Sequence, residues 1–255
     1  MPTHLLNRRR HSPRPALPLM EGIALEHGRT HEACGPARHR FALWLAAAAT
    51  GPVLWLSPPR GGRQLNPDGL AACASPARFL FVQAARTEDQ LWAMEEALRS
   101  GAAALVVAEL SEPPAMTPVR RLHLAAEAGG RFGPAPLGLL LTPGQGGAQG
   151  IESRWHLAPA HHRAAHNRLA CDDSAGSQSC WSLQRLRART LPPCSWLVLQ
   201  AAAGGALRAV PASPAATDPA LTAQGLPQAL PHGQADEQTS ALPHPQAALA
   251  APAPP

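Results

Sequence analysis

The chain has 255 residues, enough for one domain of ordinary size with loose ends, and it carries a formal net charge of +5. All 22 of its basic residues are arginine, which excludes any site that requires a lysine. The charge suits a nucleic-acid neighbour, but a modest excess is also common on ordinary soluble proteins.

Prolines and glycines interrupt the segments that would otherwise resemble a membrane span or an export signal. The apolar run at residues 41–56 is shorter than the roughly 20 residues that a spanning helix needs, and Thr50, Gly51 and Pro52 break it. Prolines also interrupt the arginine-containing start of the chain. We therefore expect a cytoplasmic protein with no membrane partner.

Both ends of the chain are predicted to be disordered. Residues 1–20 form a basic arm, and residues 211–255 are rich in Ala, Pro, Gln and His, with almost no large apolar residue after Leu230. The domain therefore spans residues 21–210, with a flexible loop at about residues 160–180.

Buried strands and helices alternate from residue 31 onward. Short apolar runs between Gly and Pro breakers indicate buried strands, and longer periodic segments indicate helices. In chain order we predict a strand ending at residue 34, a helix over 38–49, a strand over 53–56, a short helix over 70–74, a strand over 79–84, a helix over 87–100, a strand over 103–110, a helix from 117 to 129 and a strand over 136–143.

The helix over residues 87–100 has the clearest pattern. Thr87 is predicted to cap it, and Gly101 follows it. Apolar residues at helical spacing form one stripe that we expect to pack against the sheet, whereas an i, i+4 ion pair lies off that stripe. The stripe consists of Leu91, Met94 and Leu98, and the pair consists of Glu95 and Arg99.

The strand pattern predicts an α/β fold with a mostly parallel sheet flanked by helices. Strands without clean alternation, separated by helices, are typical of parallel sheets that are covered on both faces. Residues 153–159, 181–190 and 195–201 instead alternate apolar with polar residues. We expect these three segments to be antiparallel strands that extend one edge of the sheet.

The strand–glycine–helix junction EACGPARHRFAL lies where an α/β fold binds phosphate. Gly35 opens the loop, and the helix that follows is expected to present free N–H groups. A working P-loop reads G-x-x-x-x-G-K-[ST], but here Arg40, Phe41 and Ala42 replace the last three residues of that motif. Arg38 and Arg40 remain as possible anion contacts of a degenerate nucleotide loop. We expect no cofactor, no ATP binding and no enzymatic activity.

Two further groups are weaker candidates. Glu109 ends a predicted strand, where nucleotide-hydrolysing folds place an acidic residue, but a solvated carboxylate is the simpler interpretation. His156, His161, His162 and His166 cluster near Cys171, and an H-x3-H spacing among them could place two imidazoles on one helix face for zinc. Their segment is polar, however, and close to Gly/Ser-rich sequence. We favour a flexible basic loop over a metal site.

Several stretches together resemble the ImuA family. They occur in order over roughly residues 25–201 and include HEACGPARHRFALWLAA, GPVLWL, SPARFLFVQA, LVVAEL and LGLLLTP. The most specific are LWAMEEALRSG and RRLHLAAEAGG. The resemblance implies a RecA-like fold and a role in the SOS response to DNA damage.

The resemblance also implies partners. Members of the family are accessory proteins of error-prone translesion synthesis, encoded beside ImuB, an inactive Y-family polymerase homologue, and a C-family polymerase. The resemblance therefore implies a non-catalytic subunit that contacts these two proteins, with RecA or DNA as further candidates, and that associates with the nucleoid when engaged. The alternative is a DNA-stimulated ATPase of the RecA-like class with a degenerate nucleotide site.

Overall fold

The computed structural model describes residues 15–59, 65–131, 133–160, 179–201 and 204–212. Strands and helices alternate through most of this part of the chain. They are β1 (Ala16–Met20), β2 (Ile23–Glu26), β3 (Thr30–Cys34), α1 (Arg38–Ala48), β4 (Val53–Ser57), α2 (Pro67–Ala71), a 3-10 turn (Pro76–Arg78), β5 (Phe79–Gln83), α3 (Thr87–Ser100), β6 (Leu105–Glu109), α4 (Met116–Gly129), β7 (Leu137–Leu141), β8 (Ser153–Pro159), β9 (Ser179–Ala188), β10 (Cys194–Gln200) and β11 (Leu207–Pro211).

Nine strands form one mixed sheet in the order β11–β10–β9–β8–β3–β7–β6–β4–β5. The strands from β8 to β5 run parallel to one another, and β9, β10 and β11 continue the sheet antiparallel beside β8. The predicted α/β class and the antiparallel extension are confirmed. The extension begins one strand later than predicted, because β8 pairs with β3 in parallel and is antiparallel only to β9.

The parallel part of the sheet is buried on both faces. All residues of β6 and β7 are buried, which explains why these strands lack alternation in the sequence. One face packs against α1 and the β1–β2 hairpin. The other packs against α3 and α4, which also pack against each other. None of the helices in the described segments is long and apolar enough to span a membrane.

The ends of the domain differ from the sequence prediction. The sequence placed residues 16–20 in a disordered arm, but they form β1, which pairs with β2. This hairpin is ordered because Leu17, Ile23 and Leu25 are buried in the core against α1. At the other end, Pro211 was assigned to the tail, but it is the last residue of β11. Residues 179 and 180, at the end of the loop predicted at about 160–180, belong to β9. Residues 1–14 of the predicted arm, 161–178 of the predicted loop and 213–255 of the predicted tail lie outside the described residues.

The helix α3 has the predicted bounds, and its predicted packed stripe is confirmed. Met94 and Leu98 are fully buried, and Leu91 is partly buried. The predicted cap is wrong, because the N-cap residue is Arg86, whose side chain makes no capping hydrogen bond. The predicted i, i+4 ion pair between Glu95 and Arg99 is confirmed. The Glu95 side chain is nevertheless only 9% exposed, because it also forms an ion pair across the helix interface with Arg121.

Candidate functional site

The strand–glycine–helix junction lies at the carboxyl edge of the parallel sheet, where open α/β folds place their ligands. Only residues 35–37 separate the end of β3 from the start of α1. The positions that correspond to the second glycine and the lysine of a P-loop, Arg40 and Phe41, therefore lie inside α1. Phe41 is fully buried in the core, where it stacks on Trp155 with ring centroids 5.8 Å apart.

The backbone N–H groups of this loop donate hydrogen bonds to carbonyl oxygens of the protein. The N–H of Gly35 donates to the carbonyl of Gly144 at 3.0 Å, and that of Ala37 donates to the carbonyl of Leu157 at 3.0 Å. Pro36 has no N–H. In the first turn of α1, the N–H groups of Arg40 and Phe41 both donate to the carbonyl of Ala37. Backbone carbonyls therefore accept from the N–H groups of Gly35, Ala37 and Arg40, which leaves fewer free donors at this helix start than the sequence predicted.

Gly35 lies directly against β8. Its φ of +86° is in the left-handed region, and a Cβ built there would lie 2.6 Å from the carbonyl oxygen of Leu157 and 2.7 Å from Nε2 of His156. Burial lowers the pKa of His156. Burial also raises the pKa of the adjacent Cys34 thiol to about 12, so this cysteine stays protonated at neutral pH. Position 35 therefore requires glycine, because any side chain there would collide with β8.

The two candidate arginines point to different places. Nη1 of Arg38 donates to the carbonyl of Gly35 at 3.2 Å, so this side chain folds back over the loop. The guanidinium of Arg40 turns away toward Cys73, with Nη1 3.1 Å from the sulfur, and its central carbon lies 5.7 Å from the ring centroid of Trp181. The structure therefore does not bring Arg38 and Arg40 together as an anion clamp.

Glu109 lies at the end of β6, as predicted, and its side chain meets a residue of α1 that the sequence did not single out. Nε2 of His39 donates to Oε1 of Glu109 at 2.5 Å, and the Glu109 side chain is only 5% exposed. The His39 ring also stacks on Trp55, with centroids 6.3 Å apart. The carboxylate that a nucleotide-hydrolysing fold would present to metal or water is engaged by an imidazole.

A second carboxylate, Glu32, organises the neighbouring loop between β7 and β8. It is fully buried in β3 and accepts hydrogen bonds from the hydroxyl of Thr142 at 2.7 Å and the N–H groups of Gly147 and Ala148. Nε of Arg154 donates to its other oxygen at 2.5 Å. The same loop supplies the Gly144 carbonyl that binds Gly35, so Glu32 fixes a segment that closes the junction.

Two buried histidines fasten the end of this loop and the start of β8. The N–H of Thr30 donates to Nδ1 of His123 at 3.2 Å, so the His123 proton is on Nε2, which donates to the carbonyl of Gly150. Nε2 of His31 donates to the carbonyl of Glu26, and its Nδ1 lies 2.7 Å from the hydroxyl of Ser153. That hydroxyl accepts from the indole N–H of Trp155. The His123 network requires a neutral imidazole, because its Nδ1 accepts from a backbone N–H.

The described residues contain no group of three or more His, Cys, Asp or Glu side chains arranged to hold a metal ion. Of the four histidines in the candidate zinc cluster, the structure describes His156, which lies on β8. The other three, His161, His162 and His166, lie outside the described residues.

A cleft of about 550 Å³ opens at the amino edge of the sheet, far along the strands from this junction. Its ionisable side chains include His27, Glu127 and Arg131. Nδ1 of His27 donates to the carbonyl of Ala135, and Glu127 forms an ion pair with Arg29 at 2.7 Å. Two of these three side chains, those of His27 and Glu127, are bound by other groups of the protein, so we assign no chemistry to this cleft.

Comparison with known proteins assigns no family. No protein-family model matches the chain. No curated protein matches it. Among solved structures the chain is similar to SulA from Pseudomonas aeruginosa, with 22% sequence identity over 45% of this chain and 98% of the SulA chain and a TM-score of 0.36. A likeness at this TM-score assigns neither a fold family nor a function.

Proposed function

We propose that the chain is a non-catalytic, RecA-like accessory protein of error-prone translesion DNA synthesis in the SOS response, as the resemblance to the ImuA family implies. In this proposal it works in the cytoplasm, at the nucleoid when engaged, through contacts with an ImuB-like inactive polymerase homologue and a C-family polymerase. RecA or DNA is a further candidate contact. The proposal needs neither a cofactor nor a metal.

The observation that best supports a non-catalytic role is the closed junction at residues 35–37. Phosphoryl transfer in P-loop proteins depends on loop N–H groups, a lysine and a hydroxyl that holds Mg²⁺. Here the N–H groups of Gly35 and Ala37 donate to backbone carbonyls, and Phe41 is buried in the core. Glu109 is paired with His39. These contacts favour a site that packs over one that turns over ATP.

A steady-state ATPase assay tests this part, with and without single-stranded DNA. We expect turnover at background in both conditions, and no change in the Glu109→Ala variant. The alternative, a DNA-stimulated ATPase, predicts turnover that rises with DNA and disappears in Glu109→Ala. That result would overturn the non-catalytic assignment.

The partner assignment has its own test. The chain is co-expressed with the inactive Y-family polymerase homologue of the same organism, and an active Y-family polymerase of that organism serves as the matched control. We expect the homologue to co-purify in stoichiometric amounts and the active polymerase to be absent. Equal recovery of both, or of neither, would contradict the proposed pathway.

A further inference from the structure

The two ends of the nine-stranded sheet differ in how their outer strands are protected. Natural sheets usually blunt an edge with charged side chains, Pro or a bulge. At one end, β11 carries exposed Arg208 and Pro211. At the other end, β5 has the sequence FLFVQ, without charge or Pro, and pairs with β4 in an unbroken register. Leu80 is 63% exposed and Phe81 is 51% exposed. The edge of β5 is therefore apolar and unprotected within the described part of the chain.

The backbone of β5 shows which groups face outward. The N–H of Ala84 donates to the carbonyl of Ser57 in β4. Because backbone groups alternate sides along a strand, Leu80 and Val82 direct theirs toward β4 as well. The N–H and C=O groups of Phe79, Phe81 and Gln83 therefore point to the free edge.

We propose that a second copy of this chain docks on this edge through antiparallel pairing of β5 with β5, about a two-fold axis at Phe81. In this register Phe81 faces Phe81 of the second copy, and Phe79 faces Gln83. Each of the three outward residues then donates one hydrogen bond and accepts one, as the hydrogen-bonded pairs of an antiparallel ladder do. All outward backbone groups of β5 are satisfied.

The side chains match in the same register. On one face Phe81 packs against its symmetry mate, and on the other face Leu80 lies opposite Val82. Aromatic and apolar cross-strand pairs of this kind stabilise sheets. The nearest arginine on each side, Arg78 and Arg86, lies opposite Ala84 and Pro76 respectively, so no like charges meet. Because β5 pairs with β5 about a two-fold axis, each copy uses this edge once, which gives a closed dimer and not a fibre.

The small contact area predicts a weak dimer. One five-residue ladder and two partly exposed side chains per copy bury far less than the roughly 800 Å² per partner of a standard interface. We therefore expect dissociation in the micromolar range or above. This association is independent of the proposed function.

Sedimentation velocity over a concentration series of the full chain tests the proposal. We expect reversible monomer–dimer exchange, weakened roughly tenfold or more by Phe81→Lys, which loses the aromatic pair and places like charges opposite each other. Phe81→Glu should behave in the same way. An equimolar mixture of the two variants should dimerise again, because the two-fold register places lysine opposite glutamate.

The matched control is Leu124→Lys, which alters a side chain of similar exposure (65%) on α4, away from the edge. We expect it to dimerise like the unmodified chain, and circular dichroism checks that all variants are folded. A monomer at every concentration, a dimer that survives Phe81→Lys, or a mixture that stays monomeric would overturn the proposal. Loss of the dimer in Leu124→Lys alone would place the interface on the helices instead.

Discussion

His31 is buried between the end of β2 and the start of β8, and both of its ring nitrogens are committed. Nε2 lies 3.0 Å from the carbonyl oxygen of Glu26 and donates to it, and Nδ1 lies 2.7 Å from the Ser153 hydroxyl, which also accepts from the indole N–H of Trp155. Desolvation dominates the electrostatics and lowers the pKa of His31 from 6.5 to about 4. Burial also lowers the pKa of His123. Protonating His123 requires its Nδ1 to release the N–H of Thr30, and protonating His31 places a charge in a buried site.

The first prediction is that the domain loses stability on mild acidification. Between pH 6.5 and about 4 the unfolded state binds a proton at His31 that the folded state does not. The stabilisation is therefore complete above pH 6.5 and falls with pH, by about 2 kcal/mol at pH 5 from this residue. Urea denaturation at pH 7.5 and pH 5.0 measures the difference. The variant His31→Gln should be less stable at pH 7.5 but show a smaller loss on acidification; an equal loss would contradict the assignment.

At the junction, the sequence predicted the positions of single residues but not the contacts between them. The sequence correctly placed Gly35 and Glu109 at the carboxyl ends of their strands, because glycine turns and strand ends are recognised from neighbouring residues alone. The pairing of Glu109 with His39 was not predictable, since it joins residues 70 positions apart in the chain. Glu32 was missed for the same reason, because its partners lie on the loop after β7 and on β8.

At the scale of elements, the periodic pattern of α3 predicted the stripe that packs on the sheet but not the flank that packs on another helix. Its spacing identified the stripe that packs on the sheet, because that stripe depends on the helix alone. The flank occupied by Glu95 is buried by α4, and only the tertiary arrangement determines which helix lies beside α3. The hairpin β1–β2 and the strand β11 were missed because each strand is only four or five residues long, and because Pro18 in β1 and Pro211 in β11 interrupt the pattern.

The second prediction concerns the buried stripe of α3. Leu98 is fully buried, and it lies where Gly129 brings α4 into close approach. Leu98→Ala should cost about 2–5 kcal/mol, because it removes apolar contacts and leaves a cavity. Chemical denaturation with an unchanged m-value would measure this loss. A loss below 1 kcal/mol would mean that the site collapses or is not packed.

The third prediction concerns the ion pairs between α3 and α4. Glu95→Ala should destabilise the domain by about 1–2 kcal/mol, because it removes the buried carboxylate that pairs with both Arg99 and Arg121. Glu88→Ala is the matched control, since Glu88 is 76% exposed and should change stability by less than about 0.5 kcal/mol. A double-mutant cycle with Arg121→Ala isolates the interhelical part. Zero coupling in that cycle would show that the pair contributes nothing.

At the scale of the whole molecule, the class of fold followed from the sequence but the order of its strands did not. Buried aliphatic runs between helices predict a parallel sheet wherever they occur. Their order depends on crossovers, such as the connection from β3 through α1 to β4, that leave two other strands between them. The change to antiparallel pairing after β8 likewise depends on which strand pairs with each edge of β8.

The last prediction concerns where the folded domain ends. The strand β11 completes the antiparallel end of the sheet, and Leu207 and Ala209 pack against the main core. The N–H of Ala212 still donates to the carbonyl of Ser195, so the ordered backbone extends past Pro211. Beyond it, residues 213–255 have a composition too poor in large apolar side chains to offset their ordering entropy.

Removing 213–255 should therefore leave the thermal midpoint within error. Removing 207–255 should lower it by roughly 5 °C or more, because β10 loses its ladder partner and the core loses two side chains. Differential scanning calorimetry of both truncations against the full chain decides between the two boundaries. If the shorter truncation lowers the midpoint as much as the longer one, the tail contributes to the fold and the domain ends beyond residue 212.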